Sequence, residues 1–193
     1  MIKRVCVYCA SSSQADEIYK NEARRLGAIL SENHIACNYG GGAVGLMGEL
    51  ANSMNKHNGV ITGIIPKFMV RRGWDNPNVK EVETEDMHSR KERMIEDVDA
   101  TIALPGGCGT LEELLEIITW KQLGLFLKPI IIVNVNGFFN PLITMMDKCV
   151  DEKFMSESLR RTWTTVNGAD DVLDAIVSAQ KWEETDSFKY ASL

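Results

Sequence analysis

Positive charge is the first thing this chain of 193 residues is short of. Its 21 Lys and Arg against 27 Asp and Glu leave a net charge of −6, so broad binding to nucleic acid or an anionic membrane is not expected. Any anion site must then be a local basic patch. No apolar run approaches membrane-spanning length. The N-terminus, Met1-Ile2-Lys3-Arg4-Val5-Cys6-Val7-Tyr8, goes straight into strand pattern without a signal peptide, which predicts a cytoplasmic protein. The five cysteines, at positions 6, 9, 37, 108 and 149, are odd in number and scattered, which suits reduced thiols rather than a disulfide framework. Cys6-Val7-Tyr8-Cys9 is formally C-x-x-C, but it lies within and just past a strand and has no second pair. The histidines, His34, His57 and His88, show no ligand spacing, so neither a metal site nor a redox site is indicated. Internal repeats, low-complexity segments and a domain linker are also missing.

What is present is an alternation of strand and helix patterns. Residues 3–9, 35–39, 60–65, 100–104, 129–134 and 162–166 predict strands, and 79–83 carries a shorter strand pattern inside an irregular segment, 67–85. Helices are expected over 15–33, from Gly45 to about His57, from Asp86 to about Asp97, from Thr110 to about Leu125, over 141–152 and from Ala169 to about Trp182. This order predicts an α/β fold: a Rossmann-like, doubly wound parallel sheet with helices on both faces, in a single domain over 1–182 followed by a polar tail over 183–193. Ligands of such sheets sit beyond the carboxyl ends of the strands, at a topological switch point. Ser11-Ser12-Ser13, residues 40–45 and residues 105–110 would all converge there.

The stretch Pro105-Gly106-Gly107-Cys108-Gly109-Thr110-Leu111-Glu112-Glu113 joins a strand to a helix through a glycine turn. Glycines let backbone approach a ligand, and a helix N-terminus offers unpaired N–H groups and partial positive charge, so this order makes an anion cradle. Thr110 can cap the helix or donate its hydroxyl to a phosphate oxygen, and Glu113 sits one turn in. A plain tight turn, with acids favoured by the helix dipole, fits the same residues. Gly40-Gly41-Gly42-Ala43-Val44-Gly45 matches G-x-G-x-x-G, yet no Asp or Glu occurs between Glu49 and Asp75 to hold ribose hydroxyls, so a nicotinamide dinucleotide is not expected. The P-loop pattern is missing, which excludes that class of ATPase. Two glycine cradles around one crevice suit a mononucleotide or a sugar phosphate. Lys67, Arg71 and Arg72, together with Arg90 and Lys91, supply local positive charge. Arginine suits bidentate capture of phosphate or polarisation of a leaving group, although a solvated helix face has the same spacing.

On the helix after the glycine turn, Leu111, Leu114, Leu115 and Ile118 form a stripe expected to face the sheet, with Glu113, Glu116 and Trp120 roughly opposite. Ile117 and Leu123 flank those acids. Apolar residues there predict a second packed surface, either a homodimer interface bordering the site or burial under another helix.

With these residues in view, the chain resembles the Lonely Guy (LOG) family of cytokinin-activating phosphoribohydrolases, often labelled lysine decarboxylase-like. The family signature P-G-G-x-G-T-x-x-E is matched in full from Pro105 to Glu113, with Cys108 at the variable position as a spacer. Gly40-Gly41-Gly42-Ala43-Val44-Gly45-Leu46-Met47-Gly48, Ile65-Pro66-Lys67, Met87-His88-Ser89-Arg90-Lys91 and Ile118-Thr119-Trp120 match as well, and the resemblance runs from the first strand to about residue 180. It implies hydrolysis of the N-glycosidic bond of an N6-modified adenosine 5′-monophosphate to free base and ribose 5-phosphate, without cofactor or metal, usually in a homodimer. It implies Arg90 and Glu113 as the catalytic pair, and substrate contacts from Lys91, Gly107, Cys108, Gly109, Thr110, Leu111, Glu112 and Thr119. Ser12, Gly41, Gly42, Gly45, Met87 and Gly106 complete the candidate substrate- and phosphate-binding set. One stretch departs from the pattern. Arg72 stands where plant members have an acidic substrate contact, and Arg71-Arg72-Gly73-Trp74-Asp75-Asn76-Pro77 looks unlike theirs, which leaves base preference open.

The residue types suit that chemistry. Breaking a ribosyl C–N bond builds positive charge on the sugar, and a carboxylate can stabilise it or activate the attacking water. Two other functions stay open on sequence: a non-catalytic nucleotide or cofactor carrier on the same fold, and a hydrolase of unmodified AMP or another purine nucleotide. A pyridoxal-phosphate decarboxylase is disfavoured, because nothing places an acid opposite Lys91, the one suitable lysine.

Overall fold

In the computed structural model, residues 1–183 and Asp186 are described. Seven strands form one sheet: β1 (Arg4–Tyr8), β2 (Ala36–Tyr39), β3 (Ile61–Pro66), β4 (Lys80–Thr84), β5 (Ala100–Ala103), β6 (Ile130–Val133) and β7 (Thr164–Val166). Every pairing is parallel and the spatial order is β4-β3-β2-β1-β5-β6-β7. The chain winds outward from β1 to β4, then returns to the other side of β1 with β5. The switch point therefore lies between β1 and β5.

Strand residues alternate between two cores, because successive side chains of a strand point to opposite faces. Val5, Val7, Cys37, Tyr39, Ile102, Ile131 and Val133 pack with α1 (Glu17–Glu32), α2 (Gly45–Lys56) and α7 (Val172–Ser178). Cys6, Tyr8, Ile64, Ala103, Ile130 and Ile132 pack with α4 (Met87–Met94), α5 (Cys108–Gln122) and α6 (Asn140–Asp151). Cys6, Cys9 and Cys37 are buried free thiols, Cys149 is half-buried and Cys108 is exposed. Burial pushes the Cys6 and Cys9 thiols well above the ordinary range, so both are protonated core groups.

Several element ends differ from the expected ones. The irregular segment holds a one-turn helix, α3 (Lys67–Val70), before β4. Helix α4 stops at Met94, and Asp97 adopts a left-handed φ of 56° beyond it. The helix expected from Ala169 runs over Val172–Ser178, well short of Trp182, and a 3₁₀ turn over Ala169–Asp171 precedes it. Apart from Glu183 and Asp186, the expected polar tail lies outside the described residues.

The largest correction concerns α5. It begins at Cys108, so Thr110 lies inside its first turn and does not cap it; Gly107 is the N-cap, with no side-chain hydrogen bond. Its buried face carries Thr110, Glu113, Leu114, Ile117, Ile118, Lys121 and Gln122, while Leu115 is 42% exposed. Leu111, Leu114 and Ile118 face the core as expected, but Glu113 points inward and Leu115 outward, the reverse of their expected places. Of the four polar side chains on the inner face, Thr110 and Glu113 border a cavity, and Lys121 finds a carbonyl: its Nζ donates to Lys128 O at 2.9 Å.

Candidate active site

The loops after β1, β2 and β5 meet at the switch point. Ala10 N–H donates to Pro105 O at 3.2 Å and Met47 N–H to Ala10 O at 3.1 Å, which ties the three together by backbone. Their contact is too close for side chains at two glycines. A Cβ on Gly45, whose φ is +65°, would stand 2.6 Å from Ser12 O, and one on Gly106 would stand 2.1 Å from Thr110 Oγ1. These glycines set the loop packing, whatever the ligand.

Between the loops opens a cavity of about 700 Å³. Its polar lining is Ser11, Ser12 and the first turn of α5 (Gly107, Cys108, Gly109, Thr110), with Arg90, Glu112 and Glu113. Its apolar lining includes Val44, Met47, Ile65, Met69, Trp74 and Met87. The first N–H groups of α5 lack helical partners and face this space with the positive end of the helix dipole.

Arg90 reaches the cavity because α4 starts at a fixed point. Asp86 accepts from Ser89 N at 2.8 Å while Ser89 Oγ accepts from Asp86 N at 3.3 Å, a reciprocal cap that sets the helix register. Arg90 then turns inward, 5% exposed. Its Nε donates to Ile64 O at 3.0 Å, Nη1 to Glu113 Oε1 at 2.7 Å and Nη2 to Gly40 O at 3.4 Å. One guanidinium thus joins β3, the 40–45 loop and α5. Burial raises the Glu113 carboxyl above its usual value of 4.5, against the opposing pull of the Arg90 charge. Lys91, the next residue, turns to the rim, where Nζ donates to Glu112 at 2.6 Å and Glu116 at 2.9 Å. Burial pulls Lys91 down, but these bonds outweigh it and hold the ammonium above its ordinary range.

Of the residues singled out on sequence, Ser12, Met87, Arg90, Gly107, Cys108, Gly109, Thr110, Glu112 and Glu113 line the cavity. Gly41, Gly42, Gly45 and Gly106 shape the loops behind it, and Leu111 packs on the core. Lys91 and Thr119 are not brought to it. Thr119 lies on the outer face of α5, its hydroxyl donating to Leu115 O at 2.8 Å. Sequence reasoning missed Met69 and drew attention to Trp74 and Asp75 only as part of the 71–77 stretch that leaves base preference open; all three line the cavity. The one available signal was a tryptophan beside a glycine in a polar stretch.

A family model described as "Possible lysine decarboxylase" matches residues 47–176. A cytokinin riboside 5′-monophosphate phosphoribohydrolase of Arabidopsis thaliana is 42% identical over 199 residues, covering 97% of this chain and 92% of the relative. One of Oryza sativa subsp. japonica is 44% identical over 160 residues, covering 82% and 66%. Among solved structures, the molybdenum cofactor binding protein of Rippkaea orientalis superposes with a TM-score of 0.69 at 19% identity, over 92% of this chain and 97% of that one. The molybdenum cofactor carrier protein of Chlamydomonas reinhardtii gives 0.68 at 14%, over 93% and 98%. At such identities these two structures bear on the fold alone.

Proposed function

The chain belongs to the Lonely Guy (LOG) family, and on that premise we propose that it is a phosphoribohydrolase, releasing the base from an N6-modified adenosine 5′-monophosphate. The observation that carries this reading is the buried Arg90–Glu113 pair lining the same cavity as an open helix N-terminus. A carrier of phosphate compounds needs the helix end but has no use for a buried carboxylate beside it.

In this reading Ser12 and the N–H groups of Gly107 to Thr110 hold the 5′-phosphate, which fixes the ribose before Glu113. The C1′–N bond breaks with its electron pair going to the base nitrogen, which takes up a proton. A water oxygen bonds to C1′. Glu113 as carboxylate stabilises the cationic sugar or accepts the water proton, and Arg90 keeps that carboxylate ionised and aimed. Pyridoxal phosphate fits poorly, because no lysine is among the described residues that line the cavity.

The exposed face of α5 and the turn after it, with Leu115 42%, Leu123 58% and Leu125 69% exposed, is the surface for a second copy of the chain. Thr119 shares that face, so it would meet ligand only in a dimer. The test is base release from AMP and N6-isopentenyl-AMP, on protein whose subunit count is read by sedimentation. Glu113→Gln is expected to lower kcat by about 10²–10⁴-fold. No release from either nucleotide by folded wild-type protein would favour a carrier, and a monomer that turns over fully would remove the dimer.

A further inference from the structure

The apolar side of the cavity ends in a built feature that hydrolysis alone does not call for. Trp74 lines the cavity yet is 52% exposed, an unusual place for so large an apolar ring. The chain on both sides of it is pinned. Trp74 N–H donates to Met69 O at 3.2 Å. Two residues on, Asn76 is 2% exposed, with Nδ2 donating to Tyr39 Oη at 3.2 Å and Oδ1 accepting from Asn78 N at 3.1 Å. The Arg72 guanidinium lies 5.1 Å from the Trp74 ring centroid and 5.7 Å from that of Phe68. Arg72 does not line the cavity; its charge is spent on holding two rings.

We propose that Phe68, Arg72 and Trp74 form a specificity clamp, in which Arg72 positions the indole and Trp74 selects a base carrying a bulky apolar substituent over plain adenine. The inference rests on the hydrolase reading and deepens it. With the phosphate on the α5 N-terminus and the ribose before Glu113, as the hydrolase reading has them, the base is left to the apolar lining, which includes Met69, Met87 and Trp74. Pockets for drug-sized ligands span roughly 300–1,000 Å³, and about 700 Å³ leaves room beyond a bare nucleotide. The lining offers that room flexible, polarisable methionines and a large indole face, which suit an alkyl chain. Asp75 is the one carboxylate on this side and suits the exocyclic N–H of the base.

The experiment compares kcat and KM on AMP and N6-isopentenyl-AMP for wild type, Trp74→Ala, Trp74→Phe, Arg72→Gln and the Arg72→Gln/Trp74→Ala double variant. Dissociation constants of both nucleotides are measured by calorimetry in a Glu113→Gln background. Trp74→Ala is expected to lower kcat/KM for the alkylated nucleotide roughly tenfold or more, through KM, with AMP within about threefold. Trp74→Phe recovers most of that loss. Arg72→Gln shows a smaller loss of the same selectivity and adds nothing to Trp74→Ala, which is the mark of acting through the indole. Equal losses on both nucleotides, no loss, or additive losses would overturn the clamp. If wild type released no base, the hydrolase reading would fall, and the ratio of dissociation constants would still decide the clamp.

Discussion

Two neighbouring cations of α4, Arg90 and Lys91, pair with carboxylates of α5, and they live in different media. Arg90 and Glu113 are each 6% exposed at the side chain and 2.7 Å apart. Lys91 is 15% exposed and shared between Glu112 at 52% and Glu116 at 24%. The separation follows from helix geometry: a step of one residue turns the side chain by about 100°, enough to carry it from cavity wall to rim. The same residue classes, at nearly the same spacing, therefore have different jobs. In the buried pair, each charge is stable only while the other stands beside it. In the rim pair, water screens either charge if the other is lost.

The strongest way to break this comparison is to remove one buried partner. Arg90→Leu leaves Glu113 without its cation, and takes donors from Ile64 O and Gly40 O as well. Urea unfolding at neutral pH is expected to show a loss of about 3–5 kcal/mol. Arg90→Leu/Glu113→Leu should be more stable than Arg90→Leu alone, because no buried charge is left uncompensated. A loss under about 1 kcal/mol for Arg90→Leu would put this pair in the class of the rim pair.

Titration sharpens the comparison next. Burial raises the folded Glu113 carboxyl above its usual 4.5, so between 4.5 and the raised value the folded protein binds a proton that the unfolded chain has released. Glu113 then contributes stability on the acid side of that window and loses it as pH rises through it. Wild type minus Glu113→Gln in unfolding free energy should fall with rising pH over that range. If the carboxylate is the working form, kcat should also have an acid limb lying above 4.5. A limb at or below 4.5 would mean that the ionised group at work is not this one.

Much of the fold was legible because the patterns that specify it are local. Short runs rich in apolar and β-branched residues gave all six main strands, and their alternation with helical patterns gave the parallel sheet. The glycine loops were legible for a stricter reason: at Gly45 and Gly106 the loop packing leaves no space for a Cβ. The inner face of α5 was not legible, since hydropathy counts leucines and cannot know that Glu113 and Lys121 will find Arg90 and a carbonyl. The Trp74 wall was legible only as part of a stretch that departs from the family pattern and leaves base preference open. It depends on Asn76 meeting Tyr39, a contact between side chains 37 residues apart that no local pattern announces.

The smallest expected effect is also the one that defines the other side of the comparison. Burial lowers Lys91, but the bonds to Glu112 and Glu116 raise it further, so its folded value lies above 10.5. Its contribution is therefore fully present at neutral pH and is lost only as pH rises through that higher value. Lys91→Gln should cost under about 1 kcal/mol by urea unfolding, and moderate salt should shrink even that. Because Lys91 does not line the cavity of the single chain, kcat should stay within about threefold, and any loss should fall on KM through Glu112, which does line it. A fall in kcat as deep as that of Glu113→Gln would place Lys91 against the reacting atoms. The two pairs would then be one catalytic unit rather than a buried pair with a solvated neighbour.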